Sequence, residues 1–204
     1  MPSAMITPEM TASETSSSLD EVSVKEIGFW IYLMSDAIIF ALLFATYIVM
    51  SANNAGGPTA KDLFDLKHTA EETLLLLTSS LTCGFSILAL SRKCRSEVLF
   101  WLSVTALLGA SFIGMEITEF HGMLSKGAGP DRSGFLSAFF TLVGTHGLHV
   151  SFGLVWGLVM MAQVAVKGLN EHVASRLRRW SMFWHFLDLI WVAIFSFVYL
   201  RGVI

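Results

Sequence analysis

The chain has 204 residues, of which 54% are hydrophobic and only 14% are charged, and its formal net charge is −3. Because soluble domains average about 25% charged residues, this composition is typical of a membrane protein, and the small negative charge argues against a nucleic-acid partner. The two cysteines, Cys83 and Cys94, fall in a predicted helix and a predicted loop, so they indicate neither a disulfide nor a thiolate metal site.

The first 26 residues differ in composition from the rest of the chain. They lack the basic start and the apolar core of a cleaved signal peptide, and they are rich in serine, threonine and acidic residues. Such a segment has few side chains that can form a core and offset the entropy of ordering. We therefore expect a disordered cytoplasmic tail over residues 1–26 and a membrane domain over residues 27–204.

Five apolar segments follow, each long enough to cross about 30 Å of hydrocarbon at about 1.5 Å per residue. They cover residues 27–50, 73–90, 98–120, 135–166 and 180–200. The fourth exceeds one perpendicular span, so it should tilt or extend past the interface. The connecting segments are too short for a soluble domain. The sequence thus predicts an all-α, polytopic membrane bundle of five transmembrane helices.

Lysine and arginine are unevenly distributed between the two sides of this bundle, with eight on the side of the tail and five on the other. The eight are Lys25, Arg92, Lys93, Arg95, Lys167, Arg176, Arg178 and Arg179. Because basic loops tend to remain in the cytoplasm, this distribution predicts a cytoplasmic N-terminus and a periplasmic C-terminus.

Small residues lie on two faces of the fourth segment. Gly153 and Gly157 share one face, and Gly144, Gly147 and Ser151 share the other. Small residues let the backbones of neighbouring membrane helices approach closely. The fourth helix is therefore predicted to pack on both sides and to be central in the bundle.

Polar residues within the spans form an intramembrane polar layer at similar depth in the cytoplasmic half of the bilayer. They are Asp36, His146, His149, His185 and Asp188. Polar groups at that depth cost free energy unless they find partners. We expect them to face one another or a water-filled cleft that joins the first, fourth and fifth helices. Interhelical packing explains such residues, and a cofactor or proton site is the alternative.

A second group, the outer interfacial cluster, lies at the opposite membrane boundary. It comprises Glu116, Glu119, His121, Asp131 and Arg132. Water is within reach there, so the group is interpreted as an interfacial cap closed by ion pairing. Arg132 is the expected partner of Glu116 or Glu119, since its guanidinium can bind a carboxylate through two bonds.

No residue of the chain is assigned a catalytic, cofactor-binding or metal-binding role. His149 and His185 lie on two helices, so haem ligation stays open as an alternative. Glu116 and Glu119 form Glu-x-x-Glu, not the Glu-x-x-His of carboxylate di-iron sites. Asp36 would suit an ion relay, but the sequence lacks the internal repeats typical of transporters. The residues favour a non-catalytic subunit of a larger membrane complex, with a stand-alone transporter or a haem-binding membrane protein as alternatives.

Five collinear stretches also carry a resemblance to a known family. They are IGFWIYLMSDAIIFALLFATY, AGGPT, GMEITEFHGM, GPDRSGFLSAFFTLVGTHGLHV and FWHFLDLIW, which extend from the first to the fifth apolar segment. In these stretches the chain resembles subunit III of the haem–copper respiratory oxidases, most closely that of the bacterial bo-type ubiquinol oxidases. The resemblance covers residues 27–202.

The resemblance implies a multi-pass subunit of the bacterial cytoplasmic (inner) membrane that binds subunit I directly, in a complex with subunits II and IV. Haem, copper and ubiquinone are expected in those partner subunits, and bound phospholipid in a cleft lined by the first helices. The complex would oxidise ubiquinol, reduce oxygen to water and pump protons. Asp36 matches the carbodiimide-reactive acid of the family, where cytochrome c oxidases usually have Glu, and the subunit is thought to support proton uptake.

Overall fold

The structure is a computed structural model that describes residues 12–51, 53 and 66–203. Five helices in these ranges are long and apolar enough to cross a membrane, which confirms the predicted all-α membrane fold. In chain order the helices are α1 (Ala12–Met50), α2 (Leu66–Ser91), α3 (Arg95–Ser125), α4 (Gly134–Lys167) and α5 (Glu171–Ile194), followed by a π-helical turn (Phe195–Leu200) and a final turn, α6 (Arg201–Val203).

Helix α1 begins at Ala12, well before its apolar span, which covers Glu26–Met50. Residues 12–26 thus continue the membrane-spanning helix towards the N-terminus. Extending an existing helix costs less free energy than nucleating a new one. Residues 1–11 lie outside the described residues, as does the AGGPT stretch. The sequence predicts a disordered tail over residues 1–26, whereas the structure gives a helix for residues 12–26. The division into a tail and a membrane domain stays a prediction. The chain divides into two compact units, Met1–Ala37 and Ile38–Ile204.

In the second unit, α2, α3, α4 and α5 form a four-membered ring. Helix α2 packs against α3, α3 against α4, α4 against α5, and α5 against α2. The C-terminal part of α1 joins this unit through aromatic side chains, because Phe40 contacts the rings of His146 and His149, and Tyr47 contacts Phe135. The ring places α4 and α5 side by side along their lengths.

The contact between α4 and α5 depends on glycines that accept tryptophan rings. A Cβ atom added at Gly157 would lie 2.9 Å from Cζ2 of Trp180, and one added at Gly153 would lie 3.2 Å from the ring of Trp184. The indole N–H of Trp180 donates a hydrogen bond of 2.9 Å to the carbonyl oxygen of Gly153. The α4 backbone is thus in direct contact with the α5 side chains.

The opposite face of α4 packs equally closely against α3. A Cβ atom added at Gly147 would lie 2.6 Å from Oε1 of Glu116. Glycines on two faces of α4 therefore contact two different helices. This confirms the prediction that the fourth helix is packed on both sides.

The connection from α4 to α5 is short and well defined. Gly168 ends α4 with a φ of 71°, a conformation that glycine adopts without strain. Asn170 then caps α5, and its side-chain oxygen accepts a hydrogen bond of 2.9 Å from the backbone N–H of Val173. These two residues fix the direction in which the chain enters α5.

Replacing Gly157 by alanine should destabilise the chain, because the new methyl group would overlap the Trp180 ring. Gly114→Ala is the matched control, since a Cβ atom at Gly114 meets nothing within 4 Å. Both changes improve helix propensity equally, so the difference between them isolates the overlap. We expect Gly157→Ala to be less stable than Gly114→Ala by roughly 1–3 kcal/mol in thermal unfolding followed by circular dichroism in detergent. Equal stability of the two variants would contradict the close contact.

Candidate functional site

His146 of α4 is completely buried among aromatic rings. Its imidazole stacks on the indole of Trp191, with ring centroids 5.3 Å apart and planes inclined by 29°. The rings of Phe40 and Phe112 approach it edge-on, at centroid distances of 6.3 and 6.0 Å. Neither ring nitrogen has a hydrogen-bond partner among the described residues. His146 is thus held by ring packing.

His149 lies one turn further along α4 and is half-buried. Its Nδ1 atom is 2.7 Å from the carbonyl oxygen of Thr145. Because a carbonyl oxygen can only accept, Nδ1 carries the proton and donates this bond. The ring also contacts Phe40, at a centroid distance of 5.2 Å. Phe40 therefore contacts both α4 histidines of the predicted intramembrane polar layer.

His185 and Asp188 of α5 face α2. The Nδ1 atom of His185 lies 2.7 Å from Oγ of Ser80, and the same hydroxyl also forms a hydrogen bond with the Asp188 side chain. These three residues line an open groove of about 450 Å³, together with apolar residues that include Leu77 and Phe85. The groove combines a polar floor with apolar walls.

In the structure, the members of the predicted intramembrane polar layer thus contact different helices. His146 and His149 lie on α4 beside Phe40, whereas His185 and Asp188 join α5 to α2. Asp36 belongs to the first unit and is 5% exposed. The common depth of these residues in the membrane stays a prediction, and depth does not determine which neighbour a side chain faces. A shared functional role for these five residues stays a prediction.

Glu116 and Glu119 of α3 point into the bundle. Glu116 is only 3% exposed, and its carboxyl group occupies the space above Gly147. Glu119 accepts a hydrogen bond of 3.1 Å from the hydroxyl of Tyr199, which is itself completely buried. Water was expected within reach of both residues, whereas Glu116 is buried between helices. Their position at the membrane boundary stays a prediction.

The remaining members of the outer interfacial cluster, His121, Asp131 and Arg132, are exposed. In the part of the chain that the structure describes, Arg132 forms no ion pair with Glu116 or Glu119. The expected ion pair is therefore not formed, because Glu116 is enclosed between helices while Arg132 lies on the loop surface. A capping role for the cluster stays a prediction.

Sequence reasoning missed Glu72, which is completely buried on α2. Its Oε1 atom lies 3.5 Å from Nε2 of His68, one turn earlier, and its carboxyl group interacts electrostatically with those of Glu116 and Glu119. Residues 51–72 were interpreted as a loop, whereas α2 already begins at Leu66. The spacing of four between His68 and Glu72 was the available signal for the earlier start.

We call Glu72, Glu116 and Glu119 the interior glutamates. The carboxyl oxygens of Glu72 and Glu116 have no hydrogen-bond partner among the residues described. Carboxyl groups inside a membrane domain cost free energy unless protons, water or polar groups compensate them, and such residues often mark functional sites. The interior glutamates and the His185–Asp188 groove are therefore two polar sites within the apolar helices of the second unit.

The contacts of the histidines bear on the cofactor alternatives. Across the described ranges, no group of three or more histidine, cysteine, aspartate or glutamate side chains has an arrangement that would hold a metal ion. Haem ligation by His149 and His185 requires the two imidazoles to face one another. In the structure His185 bonds to Ser80 of α2, whereas His149 bonds to its own helix. The geometry does not favour haem between these two residues.

Comparisons with known proteins agree with the stretches identified in the sequence. The family model described as "Cytochrome c oxidase subunit III" matches residues 9–203. The "Cytochrome bo(3) ubiquinol oxidase subunit 3" of Pseudomonas aeruginosa is 53% identical over 175 residues, which cover 86% of this chain and 84% of the relative. A Buchnera aphidicola protein of the same name is 43% identical over 194 residues, covering 94% and 95%. The "Cytochrome c oxidase subunit 3" of Bacillus sp. (strain PS3) is 44% identical over 180 residues, covering 88% and 87%.

The contact between Ser80 and His185 can be measured by a double-mutant cycle. Ser80→Ala and His185→Leu should each lower stability, and together they should show a coupling of about 0.6 kcal/mol, the average for hydrogen bonds between membrane helices. Ser111→Ala combined with His185→Leu is the control, because the Ser111 hydroxyl bonds to a carbonyl of its own helix. A Ser80–His185 coupling no larger than the control, in unfolding titrations in mixed micelles, would contradict the contact.

Proposed function

Because the chain belongs to the cytochrome c oxidase subunit III family, we propose that it serves as subunit III of a bacterial oxidase that takes electrons from ubiquinol and reduces oxygen to water. The observation that carries this proposal is the 53% identity, over 86% of the chain, to a relative named as a ubiquinol oxidase subunit 3. The relative named as a cytochrome c oxidase subunit is 44% identical. Two of the three relatives described above, at 53% and 43% identity, are named as ubiquinol oxidase subunits, and these names favour ubiquinol as the electron donor of the complex.

The chain is a multi-pass protein of the bacterial inner membrane, with five spans. We infer a cytoplasmic N-terminus and a periplasmic C-terminus from the eight basic residues on the side of the tail, against five on the other side. With this orientation, the α2–α3 and α4–α5 connections face the cytoplasm.

We further propose a non-catalytic role next to the catalytic subunit. In this family the redox cofactors are carried by other subunits, so haem, copper and ubiquinone belong to the partners of this chain. Direct binding to subunit I, in a complex with subunits II and IV, is the assembly that the family resemblance implies. Many large apolar side chains are exposed along the helices, for example Leu42 of α1 and Leu107 of α3, and they supply surface for partner helices and phospholipid.

Asp36 is the residue of the first unit for which we propose a functional role. It lies within the apolar span Glu26–Met50, is 5% exposed, and matches the intramembrane acid of the family. An acidic side chain in a span is expensive and is most often retained for function. We propose that it supports proton uptake by subunit I.

Co-purification tests the proposed membership of the complex. A C-terminal affinity tag on this chain, used on bacterial membranes solubilised in mild detergent, should recover a preparation that contains haem and copper and oxidises ubiquinol. The same chain produced without partner genes should show no haem absorption band. Recovery of the chain without a haem- and copper-bearing partner would contradict the proposal, and a haem band in the isolated chain would favour the haem-binding alternative.

The same tag tests the orientation. In spheroplasts with an intact inner membrane, added protease should remove a C-terminal tag that lies in the periplasm. Removal only after the membrane is permeabilised would reverse the proposed orientation.

Replacing Asp36 by asparagine tests its role in the assembled complex. If Asp36 assists proton uptake, a complex with Asp36→Asn should lose activity several-fold faster during turnover. The reason is that protons would reach the catalytic centre more slowly than the reaction consumes them. Turnover rate, protons pumped per electron and inactivation rate are measured together. Ser35→Ala is the control, since Ser35 is its exposed neighbour and bonds only to its own helix. If all three quantities equal those of the control, Asp36 has no part in proton uptake.

A further inference from the structure

A polar pocket of about 370 Å³ lies where α4 ends and α5 begins. It is lined by Gln163, Lys167, Asn170, His172, Val173 and Arg176. Five of these six side chains carry N–H donors, two of them are permanently cationic, and none is a carboxylate. We propose that this pocket binds the phosphate group of an anionic phospholipid. The inference requires only that α4 and α5 span a membrane, so it is independent of the proposed oxidase function.

The side-chain oxygens of both amide residues in the pocket accept hydrogen bonds from the chain itself. The side-chain oxygen of Gln163 accepts a bond of 3.3 Å from Nη1 of Arg176, and that of Asn170 accepts a bond of 2.9 Å from the backbone N–H of Val173. With these oxygens engaged, the NH₂ groups are the remaining polar atoms of both amides. Phosphate oxygens only accept, so a lining of donors and cations is complementary to a phosphate group.

The start of α5 adds to the positive character of the pocket. Asn170 caps this helix, and the first backbone N–H groups of a helix carry a partial positive charge. Helix starts combined with basic side chains are common sites for phosphate groups. The pocket therefore combines a cavity, two cations and a helix start.

Two exposed valines on α4 precede the pocket residues Gln163 and Lys167 along the helix surface, and they favour a lipid as the source of the phosphate. Val155, Val159, Gln163 and Lys167 are spaced four residues apart, so each lies next to the following one along the helix surface. Val155 and Val159 are 60% and 47% exposed. A lipid acyl chain can lie along the two valines while its phosphate reaches Lys167. A soluble phosphate compound would use only the basic end of this row of side chains, so the arrangement favours a lipid.

Contacts within the chain hold the pocket in shape. Gly168 and Asn170 fix the turn between the two helices, and the Arg176–Gln163 bond holds one cation across it. On the neighbouring side, the guanidinium of Arg95 donates to the carbonyl oxygen of Ala165, which attaches the start of α3 to the end of α4. A site held in this way lowers the entropy cost of ordering its side chains upon binding.

Photo-crosslinking in nanodiscs tests the proposal on the full chain. The probe is phosphatidylglycerol with a photoreactive group in its acyl chain, compared with the matching phosphatidylcholine. We expect phosphatidylglycerol to label the peptide that contains Val155 and Val159 and to outcompete phosphatidylcholine there. The double variant Lys167→Gln, Arg176→Gln should reduce this labelling roughly 25-fold, since each basic side chain at the membrane surface contributes about a fivefold factor.

Arg178→Gln is the matched control, because Arg178 is exposed on the same helix but does not line the pocket. Labelling should fall much less in this variant than in the double variant, because Arg178 adds only to the general positive charge near the membrane surface and does not line the pocket. Should the double variant fail to fold, Lys167→Gln alone should lower labelling roughly fivefold. Three results would overturn the proposal: equal labelling by the two lipids, an equal loss in the control variant, or full displacement of the lipid by millimolar inorganic phosphate. The last result would assign the pocket to a soluble phosphate compound.

Discussion

The second unit depends on the direct contact between the backbone of α4 and the indole rings of α5. Membrane helices gain little from the hydrophobic effect when they associate, since lipid chains are as apolar as their side chains. Close van der Waals contact must therefore supply much of the free energy of association between these helices. Gly153 and Gly157 provide it, because only a residue without a side chain lets the rings of Trp180 and Trp184 reach the helix.

The tryptophans of α5 also connect it to its neighbours through hydrogen bonds. The indole N–H of Trp180 donates to the α4 backbone, whereas those of Trp184 and Trp191 donate to Ser79 and Thr73 of α2, at 2.8 and 3.1 Å. Each buried indole thus has its one donor satisfied. Trp191 also supplies the surface on which His146 stacks, so the environment of this histidine is set by the same contacts that hold α5 in place.

Much of the fold could be predicted from the sequence, but the arrangement of its polar residues could not. Apolar segments of sufficient length revealed the five spans, and glycine spacing revealed that α4 packs on both sides. The helix that His146 or His185 faces does not follow from counting along the sequence, because it depends on the rotation of every helix about its axis. Glu72 was missed because α2 extends into a stretch that its polar composition assigned to a loop.

The π-helical turn Phe195–Leu200 changes the direction in which the last side chains of the helix point. A π turn contains more residues than an α turn, so the angular position of side chains beyond Ile194 no longer follows the α-helical count. Tyr199 is nevertheless completely buried, against Trp191 and Phe139 and within reach of Glu119. Adding or removing a single residue in this turn would rotate Tyr199 away from that position. The length of the final segment is therefore constrained more tightly than its hydrophobicity.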